Sequence, residues 1–235
     1  MFKWIIFIMC IVLLLSCSLF RRPKNYICIT TMRNYKIPLE TLLQSIGSRF
    51  NLIIVYQGEN EDKIYKKFDG TLCVHLKRNI YEYGSFIGLH MLFEKGFIPT
   101  ESKILLLHDT CKAGKQFKHK LQKHFNESSS DITFMCNTGQ CNICIINKNA
   151  VYAGYDIYKD IHEIDKQTAI NWEWNHKLEK SIKSIPVKID FLQKSTEILG
   201  KRKVYLNNDR IVLYYKTLDL EKYYTHDPTK LQNTP

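Results

Sequence analysis

The sequence has no internal repeat, no second Cys-x-x-Cys to match Cys141-Asn142-Ile143-Cys144, and few acids: 23 Asp and Glu against 34 Lys and Arg. The missing repeat excludes an architecture built by stacking copies of one unit. The missing second cysteine pair leaves Cys136, Cys141 and Cys144 without a fourth ligand at a recognisable spacing, so no structural zinc site is expected. Basic residues are not interleaved with aromatics as in nucleic-acid-binding modules, and no nucleic-acid partner is expected. The acid deficit leaves a formal charge of +11. Lys3, Arg21, Arg22 and Lys24 supply part of it. The rest is scattered apart from runs at 112–123 and 201–203, as on a solvated basic face. Such a surplus favours anionic partners, either membrane headgroups or a phosphate-bearing substrate.

Apolar residues make up 45% of the 235, and aromatics 12%, which excludes a disordered chain and allows one full domain with its own core. That domain is expected over residues 25–226, followed by a loose polar tail at 227–235. Residues 1–24 differ: residues 4–20 (WIIFIMCIVLLLSCSLF) are almost unbroken apolar sequence, stopped by Arg21-Arg22-Pro23-Lys24. A membrane-spanning helix needs ~20 apolar residues, ~17 at the low end. The segment therefore reads as an N-terminal transmembrane helix or signal anchor, making a single-pass membrane protein. No small-x-small cleavage site is clear, residues 14–17 loosely resemble a lipoprotein box, and the sidedness is open. Six cysteines in the body would permit disulfides. Cys28, inside an apolar run, reads as a buried free thiol.

Residues 26–31 (YICITT) and 51–56 (NLIIVY) are β-rich runs separated by helical spacing at 39–46. That is a βαβ unit with parallel strands. Residues 72–76 (LCVHL) read as a third strand, 81–93 as a helix, and 103–107 (KILLL) as the clearest central strand. Residues 116–125 form an amphipathic basic helix, and 141–146 another strand. Helices are expected at 150–164 and 168–185, and a late hairpin between 203–206 and 211–215 across Asn207-Asn208-Asp209. The alternation implies an α/β fold, a mainly parallel sheet flanked by helices. Ligands of open α/β sheets bind outside the carboxyl ends of the strands, which singles out residues 30–34, 57–60, 78–84 and 108–110.

Taken in order, these segments resemble the A-type glycosyltransferase fold, in particular family-2-like nucleotide-sugar transferases. Ile27-Cys28-Ile29-Thr30-Thr31 looks like the first strand ending at the nucleotide base, and Ile53-Ile54-Val55-Tyr56-Gln57-Gly58 like the second. Asn79-Ile80-Tyr81-Glu82-Tyr83-Gly84-Ser85 stands where a turn faces the donor sugar. Leu105-Leu106-Leu107-His108-Asp109-Thr110 stands where a strand ends in an Asp-x-Asp metal site, and residues 137–144 are similar to a segment lining the acceptor side.

The resemblance implies a nucleotide-sugar donor held by Thr30, Thr31, Arg33, Gln57, Arg78, Asn79, Tyr83, Gly84 and Asn142, and an acceptor not identified. It also implies a divalent cation, Mn²⁺ or Mg²⁺, at Asp109 with His108. The departure is that His-Asp-Thr offers one carboxylate where the motif offers two. For the carboxylate that takes the acceptor proton, Glu173 and Asp156 are the candidates, with Asp160 also considered. Each residue has a plain alternative: Asp109 as a turn carboxylate, His108 as a satisfied structural histidine, Arg33 and Arg78 as surface cations, and Gly84 as a helix-start glycine. The same residues also fit a degenerate, noncatalytic module that binds a partner.

Overall fold

The computed structural model describes residues 24–33, 35–47, 50–135, 143–174, 177–192 and 210–225. Strand β1 (Tyr26–Met32) stands near the centre of an eight-stranded sheet, with parallel neighbours β2 (Asn51–Gln57) and β5 (Ile104–His108). Beyond β2 lies parallel β4 (Leu72–Leu76), and β3 (Lys63–Lys66) closes that edge antiparallel. Beyond β5, β8 (Cys144–Ile146) runs antiparallel to both β5 and β7 (Ile132–Phe134), and β9 (Ile189–Phe191) pairs in parallel with β7. The order is β3-β4-β2-β1-β5-β8-β7-β9. The sheet is mainly parallel, as expected, with β4, β2, β1 and β5 in one parallel run and β7 and β9 in another.

Successive side chains of a strand point to opposite faces, and the middle strands feed two cores. Tyr26, Cys28, Ile104 and Leu106 enter one; Ile27, Ile29, Leu105 and Leu107 enter the other. Strands buried on both faces have to be apolar throughout, which is why 26–29 and 104–107 are unbroken apolar runs. Helices α2 (Gly84–Glu94), α4 (Lys148–Tyr158), α5 (Lys166–Trp174) and α6 (Lys177–Lys183) contribute to the first core. The second is covered by α1 (Lys36–Ile46), through Leu39, Leu42 and Ile46, and by α3 (Phe117–Glu127), through Phe117, Leu121 and Phe125. Helix α1 starts before the apolar spacing does because Pro38 sits in its first turn, where a missing N–H costs nothing.

Three expectations change. The late hairpin forms between β10 (Arg210–Tyr215) and β11 (Leu220–Thr225), and β11 pairs on to β6 (Cys111–Ala113) in a separate three-stranded sheet. Residues 203–206 lie outside the described residues. The turn between β10 and β11 is made at Asp219, whose φ of 54° is left-handed and whose carboxylate accepts from the Gln116 N–H and the Tyr214 hydroxyl, both at 2.7 Å. Buried Leu218 and Leu220 anchor it.

The helix expected at 150–164 ends at Tyr158, and that at 168–185 is two pieces, α5 and α6. The single-pass membrane localisation is overturned: among the described residues no helix is long and apolar enough to cross a membrane. The helices of 11 residues are ~16 Å long, about half of a ~30 Å hydrocarbon core. Residues 1–23, which prompted that expectation, lie outside the described residues.

Candidate functional site

From β1 the chain passes through α1 to β2 and on outward to β4; α2 then carries it back over the sheet to β5, on the other side of β1. The strand order reverses at β1 and β5, and their carboxyl ends open a crevice there, as at other switch points of open α/β sheets. Thr30, Glu82, Tyr83, Ser85, Phe86 and His108 line it. Its empty space is about 240 Å³, including space open to solvent. The space it encloses is far smaller than the ~300–1,000 Å³ of ligand pockets, so the crevice by itself surrounds only part of a ligand.

Asp109 follows β5 directly and is 8% exposed. The Thr31 hydroxyl donates to its Oδ2 at 2.7 Å, and the Asp109 N–H donates to the Thr30 carbonyl at 3.3 Å. These bonds tie the ends of β1 and β5 together. Burial lifts the Asp109 acid to about 7, against the pull of the Thr31 hydroxyl and nearby backbone N–H groups. His108 is half-buried as a residue, yet its Nε2 is shut off from water and has no hydrogen-bond partner among the described residues. Burial, and then the charge of Lys222, hold its pKa well below that of an ordinary histidine, so the ring is neutral. Tyr35 completes the group: burial raises its phenol, and the Asp109 and Tyr81 charges raise it further.

Gln57 and Gly84 come together, though in a supporting role. The Gln57 Oε1 accepts from the Ile80 N–H at 2.9 Å, and its Nε2 donates to the Tyr81 carbonyl. A β-carbon on Gly84 would overlap this amide, so glycine is what lets the Gln57 side chain reach the turn. Between the two bonds sits Tyr81 at φ 53°, a left-handed conformation that costs a bulky residue of order 1–3 kcal/mol. The Gln57 amide thus pins the one backbone turn that sets Glu82 and Tyr83 in the crevice. Gln57→Leu is expected to leave the buried Ile80 N–H unsatisfied and to destabilise the fold by about 1–3 kcal/mol; urea unfolding checks this. An unchanged midpoint would remove Gln57 from that role.

The remaining expected residues separate. Arg78 Nη1 donates to the carbonyls of Lys159 (2.8 Å) and Ile161 (3.2 Å), fastening the end of α4. Asn79 is stitched through its backbone to His162 and Ile164, while its Oδ1 is buried with no partner among the described residues. Arg33 is exposed in the turn after β1. Asp156 pairs with Lys159 at 2.9 Å on the outer surface of α4 and does not line the crevice. Glu173 falls in α5 with its side chain outside what is described; Asn142 lies outside the described residues altogether. The carboxylate that does line the crevice is Glu82. Its place in a segment already marked by the strand-end rule was the signal that could have found it.

The donor set does not fit a resident divalent ion. Such an ion takes about six oxygen-rich ligands. Here the motif supplies one carboxylate, already bonded to the Thr31 hydroxyl and flanked by an imidazole and a threonine. No group of three His, Cys, Asp or Glu that could hold a metal occurs among the described residues. Cys28 is a buried free thiol, with its pKa pushed up by burial.

No family model matches the chain, and no curated protein matches it. Solved structures are similar in outline. One is a nucleotide-diphospho-sugar transferase, so assigned, from Desulfovibrio desulfuricans G20, with 10% identity and a TM-score of 0.41 over 74% of this chain and 81% of that one. Another is the glycosyltransferase GlyE of Streptococcus pneumoniae TIGR4, with 11% identity and a TM-score of 0.42 over 73% and 46%. A third is S. aureus TarS, with 12% identity and a TM-score of 0.39 over 72% and 35%. The chain therefore spans under half the length of the last two. Likeness at this level places the chain in no family.

Proposed function

We propose that this chain binds a nucleotide-diphospho-sugar at the carboxyl ends of β1 and β5 and transfers the sugar to an acceptor. The observation that carries the reading is the buried Thr31–Asp109 pair at the point where the strand order reverses. A carboxyl group is costly to bury, and its raised pKa beside a crevice is the pattern of functional sites rather than of packing. The serial resemblance of residues 26–158 to nucleotide-sugar transferases supplies the substrate class. In this reading Glu82, which lines the crevice, takes the acceptor hydroxyl proton in preference to Asp156, and Glu173 remains the second candidate base.

The test is a panel of UDP-, GDP-, CMP- and TDP-sugars against the full chain, read by thermal stabilisation and by release of the free nucleotide. Ligand binding to the native state raises apparent stability in proportion to the logarithm of its concentration over Kd. One donor is expected to stabilise and turn over, and Asp109→Ala to lose about 100-fold or more of the turnover. Turnover unchanged in Asp109→Ala would end the role given to that residue.

A second reading, a noncatalytic module that keeps only part of the donor site, is favoured by the small volume of the crevice. Stabilisation by a nucleotide without release of sugar selects it.

A further inference from the structure

A second group of titratable side chains lies at the β3 edge of the sheet, and none of its members lines the crevice. His75 of β4 stands opposite Tyr56 of β2 and Lys63 of β3, and Tyr65 of β3 stands opposite Cys73, two positions before His75. Side chains two apart on a strand share a face, so Tyr65 and His75 meet diagonally. The Tyr65 hydroxyl is 3.2 Å from the His75 Nε2. Two rings clamp the imidazole in T-shaped contacts, Tyr56 with its centroid at 5.1 Å and Tyr65 at 5.2 Å. Glu59 Oε2 faces the other ring nitrogen, Nδ1, at 3.7 Å. The Glu59 N–H donates to the Leu76 carbonyl at 3.0 Å and the Gly58 N–H to that of Arg78 at 3.2 Å, which fixes the backbone behind the carboxylate. The Glu59 side chain is only 17% exposed, a costly setting for a carboxylate without a partner. His75 is that partner. The carboxylate draws the ring proton to Nδ1 and leaves Nε2 to accept from Tyr65.

We propose that Tyr65 is a nucleophile that takes an acyl group from an activated ester, with His75 as its general base and Glu59 orienting that base. Unaided, the phenol is a poor nucleophile: burial, and then Cys73, Tyr56 and Glu59 around it, push its pKa up to about 12. A base within hydrogen-bond reach, itself held by a third group, is what such a hydroxyl needs. Tyr65 is only half-buried, on an edge strand that a small ester can approach from solvent. In the step, a bond forms from Tyr65 Oη to the acyl carbon, and the bond from that carbon to the ester oxygen breaks. The phenolic proton passes to His75 Nε2 and from there to the departing oxygen. The Glu59 carboxylate stabilises the imidazolium between the two transfers. The product is an acyl-tyrosine, and no electrons are exchanged.

The experiment treats the full chain with p-nitrophenyl acetate, follows release of nitrophenolate, and locates the acetyl group by peptide mass spectrometry. Tyr214 is the internal control. It is exposed, and its pKa is likewise pushed up to about 12, but its hydroxyl bonds to the Asp219 carboxylate and not to an imidazole. Acetylation of Tyr65 is expected to outrun that of Tyr214 by about 100-fold or more, the scale of general-base catalysis. Tyr65→Phe should abolish it, and His75→Phe should bring the Tyr65 rate down to that of Tyr214. Glu59→Gln should slow it, with Glu59→Asp restoring part of the rate. Melting temperatures report separately whether each variant folds.

An imidazole changes charge between about pH 5 and pH 8, and only the neutral ring can take the proton. The groups facing His75 are Glu59, Tyr56, Tyr65 and Lys63, with Lys67 against Tyr56 and Cys73 against Tyr65. The ratio of Tyr65 to Tyr214 labelling in the wild type should therefore rise across that range, and it decides the matter if the His75 variant does not fold. Labelling of Tyr65 no faster than that of Tyr214, a rate unchanged in folded His75→Phe, a ratio flat with pH, or acetyl groups on lysines alone would each overturn the proposal.

Discussion

Asp109→Asn is expected to remove a pH dependence from the stability of the fold between about pH 4 and pH 7. In the native chain the acid titrates at about 7 against an ordinary value of 3.8. Between those values the native state holds a proton that the unfolded chain has released. The stability this contributes is complete below about pH 4, falls as pH rises, and is gone above about pH 7. At about 1.36 kcal/mol per pKa unit, the loss is on the order of 4 kcal/mol. Asparagine keeps the shape, can still accept from Thr31, and is neutral throughout, so it carries no such penalty.

Urea midpoints of both proteins at about pH 4.5, 6 and 7.5 test this. The wild type should lose stability relative to Asp109→Asn across the series. Parallel curves would mean that Asp109 is not buried as an acid, and would take with them the argument that the site stores unfavourable electrostatics for a ligand.

Gly154→Ala is the second large effect. In a helix interior the change ordinarily gains about 1 kcal/mol through backbone entropy. Here a β-carbon at Gly154 would overlap the ring of Phe86 across the α2–α4 contact. That ring is held by Tyr158, with centroids 5.8 Å apart, and Tyr158 packs on Tyr83 at 4.8 Å and on Trp172 at 6.4 Å. A stiff aromatic cluster cannot yield by rotating one flexible end, so overpacking, typically about 1–3 kcal/mol, outweighs the entropic gain.

The expected result is a lower melting temperature and, because Phe86 and Tyr83 line the crevice, weaker binding of whatever occupies it. Phe86→Leu in the same chain should recover part of the loss, with a coupling of about 1 kcal/mol or more. A Gly154→Ala protein that melts higher than wild type would show that α2 and α4 do not meet as described.

The middle of the sheet was readable because its strands are buried on both faces and must be apolar without interruption. The strand at 72–76 matches the expectation residue for residue, and 26–31 and 51–56 are each one residue short. Strand β3 was not readable: KIYK is a charged edge strand, and its pairing with β4 comes from position rather than pattern. The late hairpin was expected across Asn207-Asn208-Asp209 because those residues carry strong local turn chemistry; they lie outside the described residues. The turn actually described, at Asp219, draws on buried Leu218 and Leu220 and on bonds to Gln116 and Tyr214. In the site, the strand-end rule located Thr31, Asp109 and the 78–84 turn. It could not tell which side chains face the crevice; Gln57 and Arg78, which the resemblance implies as donor contacts, bond to backbone here.

By itself, then, the sequence determined the alternating α/β class, the central parallel strands and the rim on which the polar residues gather. These follow from local periodicity and from the need to bury apolar faces. Only the tertiary structure decided that Asp109 is a buried acid bonded to Thr31, that Gln57 braces a left-handed Tyr81, and that Lys222 lies inside. Nothing in the sequence pattern marks Lys222 as a buried residue. The pairing of β11 with β6, between segments far apart in the chain, turns the lysine inward and sets it beside the end of β5, because strand register, not residue type, chooses which face a side chain takes.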